Sequence, residues 1–159
     1  MQDGTIDLTL IGCKEIPANG LNNQLGELEA LKSISLPDVT TLGKLAFFNC
    51  ENLETVNAPK VTAINQLAFY RCQRLEKVIL GTLTDVRGNY ADGIFNGIDK
   101  LSYNTDLYLP ESQEIMQGEF DENSNQYIWK PTGENYFAIP DSKMGIFLGY
   151  HFRSVKSWE

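Results

Sequence analysis

Histidine is nearly absent, since the 159 residues hold one, His151. A structural zinc site takes about four Cys or His ligands at close spacing. With three cysteines, no Cys-x-x-Cys and one distant histidine, no metal site is expected. Three cysteines are also too few for a disulfide-built scaffold, and the odd number leaves at least one unpaired in a monomer. No apolar run approaches the roughly 18–20 residues that cross a bilayer as a helix, so no membrane insertion is expected. The opening MQDGTIDLTL lacks a basic stretch, a long apolar stretch and a small-residue cleavage site, so it is expected not to be a signal peptide. A secreted protein stripped of its signal would begin the same way. Basic residues are in the minority, 13 Lys and Arg against 21 Asp and Glu, for a net charge of −8. They are scattered, and without a basic stripe to displace counterions from phosphates, nucleic acid is excluded as a partner. The rest is ordinary for a globular protein, 42% hydrophobic and 21% charged, and long enough for one domain.

What the chain does have is a repeat. From Leu31, LKSISLPDVTTLGKLAFFNCEN is followed by LETVNAPKVTAINQLAFYRCQR and then LEKVILGTLTDVRGNYADGIFNGIDK, the first two being 22 residues long and the third 26. Superposing the units, with an earlier one near residues 5–30, gives apolar columns. Leu8, Ile34, Val56, Val78 and Leu107 form one; Leu10, Leu36, Ala58, Leu80 and Leu109 another. Val39, Val61 and Leu83 follow, then Ile16, Leu42, Ile64 and Val86, then Leu21, Phe47, Phe69 and Phe95. Residues between the columns vary among polar types. This is the pattern of a solenoid in which each unit is one coil and each column a row of stacked side chains. Alternation in Ile34-Ser35-Leu36 marks a strand with one buried face, and Pro37, Pro59 and Pro110 end their strands. The expected organisation is a solenoid over 1–110, with units near 5–30, 31–52, 53–74 and 75–100 and a last strand at 105–110. Residues 111–159 are expected to form a cap belonging to the same domain.

The columns also explain the cysteines. KLAFFNC and QLAFYRC place Cys50 and Cys72 in one column, which Leu28 fills in the first unit and Ile98 in the third. A position that accepts Leu, Cys, Cys and Ile is apolar packing, where free Cys acts as a small hydrophobe. Cys13 shares the column of Val39. The alternative is a disulfide: stacked coils bring the two Cα atoms within about 5 Å, but in-register parallel neighbours point their Cβ atoms the same way.

The run Leu-x-x-Ile-x-Leu-Pro, then Val-Thr-x-Ile/Leu, then Ala-Phe-x-x-Cys resembles the BspA-like class of bacterial leucine-rich repeats. It covers roughly Thr5 to Pro110. The first unit departs from it with Leu21 and Leu28 in place of Phe and Cys, and the third by inserting residues around RGNYADG. GYHFRSVKSW resembles the closing stretch of family members. The resemblance implies a mainly β fold with irregular or short helical connections. It implies a curved, right-handed solenoid of about four coils with a β-rich C-terminal cap, on a secreted or cell-surface bacterial protein. Family members are linked with adhesion and with binding host or bacterial proteins. The resemblance brings no catalytic motif, and no cofactor is expected.

Beyond Glu111 the columns stop. NQYIWKPTGENYFAIP reads as two strands, Gln126–Lys130 and Asn135–Ile139, joined by PTGE, and MGIFLGYHFRSVKSW as another strand or two. Trp129, Phe137, Phe147, Phe152 and Val155 are expected to plug the last coil. Asp121, Asn123 and Asn125 begin like a calcium loop, but Gln126 and Thr132 stand where Gly and Glu are needed, which leaves a polar loop. His151 has no partners for a nucleophile–base set nearby in sequence. The candidate binding surface is the solvent face of the repeat sheet, Ser33, Ser35, Thr55, Asn57, Lys77, Ile79 and Tyr108, as an extended platform for a protein or glycan. Phe48 and Tyr70 form a second row, for which packing against each other is the competing role. The expected function is a non-enzymatic interaction module. The alternatives are a ligand-free spacer and a hydrolase with its site in the C-terminal segment.

Overall fold

The computed structural model describes residues 4–88, 93–140 and 145–158. The insertion expected around RGNYADG falls largely on residues 89–92, outside the described residues. In chain order the strands are β1 (Ile6–Thr9), β2 (Glu15–Ile16), β3 (Leu31–Ser35), β4 (Thr41–Leu42), β5 (Thr55–Ala58), β6 (Ala63–Ile64), β7 (Lys77–Leu80) and β8 (Asp85–Arg87). A one-turn helix, α1 (Leu101–Asn104), precedes β9 (Asp106–Leu109), β10 (Glu114–Asp121), β11 (Gln126–Asn135), β12 (Ile146–Phe147), β13 (Tyr150–His151) and β14 (Ser154–Ser157). Each coil gives a longer strand to a main sheet, ordered β1-β3-β5-β7-β9-β14, and a short one to a second sheet that contains β2, β4, β6 and β8. The core lies between the two sheets.

The expected columns are the observed register. Leu8 pairs with Ile34, Ile34 with Val56, Val56 with Val78 and Val78 with Leu107, all in parallel. In the second sheet Ile16, Leu42, Ile64 and Val86 pair in turn. Phe47, Phe69 and Phe95 stack with centroids 5.3 and 5.2 Å apart and planes 13° and 3° from parallel. Phe152 and Tyr150 end the stack by meeting Phe95 edge-on, at 5.0 and 5.5 Å. At the opposite end the columns stand open: Leu8, Leu10, Leu21 and Leu28 are half-buried, whereas Val56, Phe69 and their interior neighbours are fully covered.

One feature of the coil is invisible as glycine in the sequence. Leu45 and Leu67 take φ of 61° and 59°, and Asn49 and Arg71 take 63° and 60°. The left-handed conformation costs an L-residue on the order of 1–2 kcal/mol. Recurring 22 residues apart, it is a corner the coil requires. Hydrogen bonds between coils hold it, Leu45 N–H to Gln66 C=O at 3.0 Å and Asn49 N–H to Tyr70 C=O at 2.8 Å.

Cys50 and Cys72 are fully buried, free thiols. Each donates to a carbonyl of the preceding coil, Cys50 to Leu21 at 3.2 Å and Cys72 to Phe47 at 3.3 Å. Burial pushes the Cys50 thiol up to about 12 and raises that of Cys72 well above its ordinary value. Cys13, in the open first coil, is half-buried and donates to Glu15 C=O.

The C-terminal segment corrects three expectations. First, the columns resume after Glu111: β14 adds a sixth strand to the main sheet, pairing Val155 with Leu107 and Lys156 with Tyr108. Second, PTGE is not a turn between two strands. Strand β11 runs through it and pairs antiparallel with β10, a strand the sequence reading lacks. Strand β8 reaches only Ile128 and Trp129 of β11, so Pro131, which has no N–H to donate, lies beyond that pairing. Third, residues 136–138 form a 3-10 turn, capped by Asn135 accepting from Phe137 N–H at 2.9 Å. The 121–125 stretch is the turn of the β10–β11 hairpin. There the Asp121 carboxylate accepts from Ser124 Oγ at 2.6 Å and from the Asn123 and Ser124 amides.

Buried polar groups finish the last coil. Gln113 is fully buried, and its side-chain amide accepts from Leu83 N–H at 2.7 Å and donates to Leu83 C=O at 3.2 Å. Thr105 donates to Leu75 C=O, and the Trp158 indole donates to Leu80 C=O at 2.8 Å. Phe147, Phe152 and Val155 are buried as expected of plugs, while Trp129 and Phe137 pack against the core half-buried.

The stacked core makes a sharp distinction between neighbours in one coil. Phe69→Ala removes a ring held on both sides and is expected to cost about 3–5 kcal/mol in denaturant unfolding. Cys72→Val, by contrast, is expected to stay within about 1.5 kcal/mol, because volume is nearly conserved. Phe47 C=O also keeps its hydrogen bond from Cys50 N–H.

Candidate binding face

The residues that alternate with the buried columns stand in two rows across the main sheet. Asp7, Ser33, Thr55, Lys77, Asp106 and Ser154 form one; Thr9, Ser35, Asn57, Ile79, Tyr108 and Lys156 form the other. All seven sequence-predicted residues lie in these rows. Ser33, Ser35, Thr55, Asn57, Ile79 and Tyr108 are half-buried by their row neighbours, and Lys77 is exposed. The rows are about 4.8 Å per strand in pitch. The second row grades from the hydroxyls of Thr9 and Ser35 through the Asn57 amide to Ile79, Tyr108 and Lys156, while the first carries carboxylates at Asp7 and Asp106.

Sequence reasoning missed Asp7, Thr9, Asp106, Ser154 and Lys156. Asp106 was legible two residues before Tyr108 by the period-2 rule. Ser154 and Lys156 alternate around Val155 in the same way, but no 22-residue spacing leads to them. These missed groups dominate the electrostatics. Lys77 Nζ lies 5.1 Å from the Tyr108 ring centroid and Lys156 Nζ 5.9 Å, so the ring sits between two ammonium groups. Asp106 accepts from Arg153 Nε at 2.9 Å and Nη2 at 2.5 Å and from Ser154 Oγ at 2.6 Å. The Arg153 guanidinium holds this carboxyl down at about 2, with Ser154 and the Arg153 and Lys156 charges acting the same way against burial. This ion pair therefore fastens β14 to β9 while the two lysines are left facing solvent.

The second candidate row is committed to its own coils. Phe48 and Tyr70 are half-buried and stack face to face, centroids 5.1 Å apart and planes 8° from parallel.

The C-terminal segment has a cleft of about 520 Å³, but the side chains of its described lining are apolar apart from Glu134, the Tyr136 hydroxyl and the Trp129 indole N–H. That set contains no nucleophile–base pair. His151 is exposed on β13, where it pairs with Ile146. Among the described residues no group of three or more His, Cys, Asp or Glu is placed to hold a metal ion.

Asp106 makes the end of the face acid-sensitive. Its carboxyl is lowered from 3.8 to about 2 in the folded chain, so the unfolded chain takes up its proton first as pH falls. The stabilisation is complete above pH 3.8 and is lost as pH falls towards 2. Asp106→Asn is expected to lower stability at neutral pH and to flatten that acid limb, measured as unfolding midpoint against pH.

Comparison with known proteins supplies the family. The BspA-type leucine-rich repeat region matches residues 22–131 in six copies, past the Pro110 at which the sequence-level repeat stops. No curated protein and no solved structure matches the chain. More than two thirds of the residues lie in the matched stretch, and its repeat unit is the coil seen in both sheets, so the chain belongs to the BspA-type leucine-rich repeat family.

Proposed function

We propose that this chain is a non-enzymatic interaction module of a secreted or cell-surface protein, binding a protein or glycan through the solvent face of its main sheet. The supporting observation is the pair of rows from Thr9 to Lys156, whose side chains all remain half-buried or exposed apart from Asp106. The family points the same way, since leucine-rich repeats of this type are interaction modules, typically non-enzymatic and typically surface-displayed or secreted. Among the described residues no helix is long and apolar enough to cross a membrane.

The grading of the second row supports recognition toward the later coils. Small hydroxyls at the first coils offer few contacts, while Asn57, Lys77, Ile79 and Tyr108 bring an amide, a charge, an apolar branch and a ring within three adjacent strands. Aromatic and cationic anchors of this kind carry most interface energy.

The test is retention of extracellular-matrix proteins and mucin glycans on the immobilised chain, with an Asn57→Ala/Lys77→Ala variant beside it. Surface changes of this kind usually shift stability by less than about 0.5 kcal/mol. The expected result is a saturable partner that the variant loses while its unfolding midpoint is unchanged. A partner held equally by the variant would move the site off this face, and no saturable partner would favour a spacer.

A further inference from the structure

The C-terminal segment holds a cleft that the sheet-face reading does not use. Its volume of about 520 Å³ lies within the roughly 300–1,000 Å³ of small-molecule sites. The floor is fixed by the core: Met116, Tyr136, Phe147 and Leu148 are each no more than 7% exposed. Tyr136 meets Phe147 edge-on at 5.4 Å. Its hydroxyl accepts from Gly145 N–H at 3.2 Å and donates to Ile146 C=O at 3.0 Å, so its proton is already committed. Trp129 forms a wall, seated on Gly118 so closely that a Cβ there would come within 2.7 Å of the indole.

The charged group at this cleft is placed by a bulge. Glu114 pairs with Asn135 but Met116 pairs with Pro131, so three residues of β11, Thr132 to Glu134, stand opposite Ile115 alone. Gly133, at φ +89°, supplies the left-handed turn the bulge needs. Bulges re-aim side chains in this way, and here Glu134 is the one charged residue among the described residues that line the cleft. Among the described residues Glu134 forms no ion pair.

The lining selects a ligand class by exclusion. A polyol would leave the hydroxyls that face Met116, Phe147 and Leu148 without partners, at about 1–3 kcal/mol each. An anion would face Glu134 on a chain of net charge −8. An apolar body carrying a positive head meets neither obstacle, since indole is the best ring partner for a cation and a negative field concentrates cations. We propose that this cleft binds a small amphipathic organic cation, with an alkyl or aryl body among Met116, Trp129 and Phe147 and an ammonium group at Glu134.

Three probes of one shape and different heads test this on the full chain: 4-phenylbutylammonium, 4-phenylbutanol and 4-phenylbutyrate at matched ionic strength. Trp158→Phe leaves Trp129 as the one tryptophan for emission, and calorimetry on the unaltered chain gives an independent reading. The ammonium is expected to bind saturably, about tenfold tighter than the alcohol, with the carboxylate weakest. Glu134→Gln is expected to erase the ammonium's advantage and leave the alcohol's affinity unchanged. Equal affinities for the three heads, an ammonium preference that survives Glu134→Gln, or no saturable binding by either method would overturn the proposal. None of these outcomes bears on the sheet face, which lies on separate residues.

Discussion

Everything in this fold depends on one coil lying in register on the next. A single coil of 22 residues buries too little to stand alone, and its strands have no partners within the coil. Register supplies both needs at once. It pairs each interior main-sheet strand on its two sides, and it sets Phe69 between Phe47 and Phe95. The left-handed corners at Leu45, Asn49 and Arg71 are tolerable for the same reason, because the hydrogen bonds that hold them come from the neighbouring coil.

Such an array leaves a strand edge and open columns wherever a coil lacks a neighbour, and the last coil is covered in a specific way. At the C-terminal end the parallel ring stack is closed by perpendicular rings, the main sheet is extended by a returning strand, and the second sheet is turned antiparallel by β11. In the first coil the residues Leu8, Leu10, Leu21 and Leu28 of the same columns are half-buried. The returning strand also shapes the candidate face, because it carries Lys156 to the far side of Tyr108 and Arg153 to Asp106. The most charged part of the platform thus exists only once the chain has come back from its excursion through the hairpin.

What was legible in the sequence follows from this division. Repetition makes a column visible, so the register through β7, the buried cysteines and six of the seven row residues could be read from spacings of 22 and 26, and Tyr108 from the strand-like stretch at 105–110. The excursion occurs once, and nothing in the sequence shows a unique strand which neighbour it will find. Strand β10, Glu-Ile-Met-Gln-Gly-Glu-Phe-Asp, has little apolar alternation, and the turn-forming residues of PTGE serve as a bulge inside a strand instead of a link between two. Lys156 was missed because its partner Tyr108 lies 48 positions away, outside any repeat length. Leucine at a left-handed corner leaves no mark, since the residue type that betrays such a corner is glycine.

Gln113 shows how separable the ends are from the middle. Its side-chain amide presents to Leu83 the same donor and acceptor that another coil's peptide group would present. To the last coil, the stop is chemically indistinguishable from continuation. The interior coils therefore carry no information about how many of them there are. A duplication of one unit, inserted between two equivalent corners, would meet the same interface above and below and leave the terminating residues in place. The platform would lengthen by one strand spacing, about 4.8 Å, and evolution could adjust its reach to a partner without rebuilding either end.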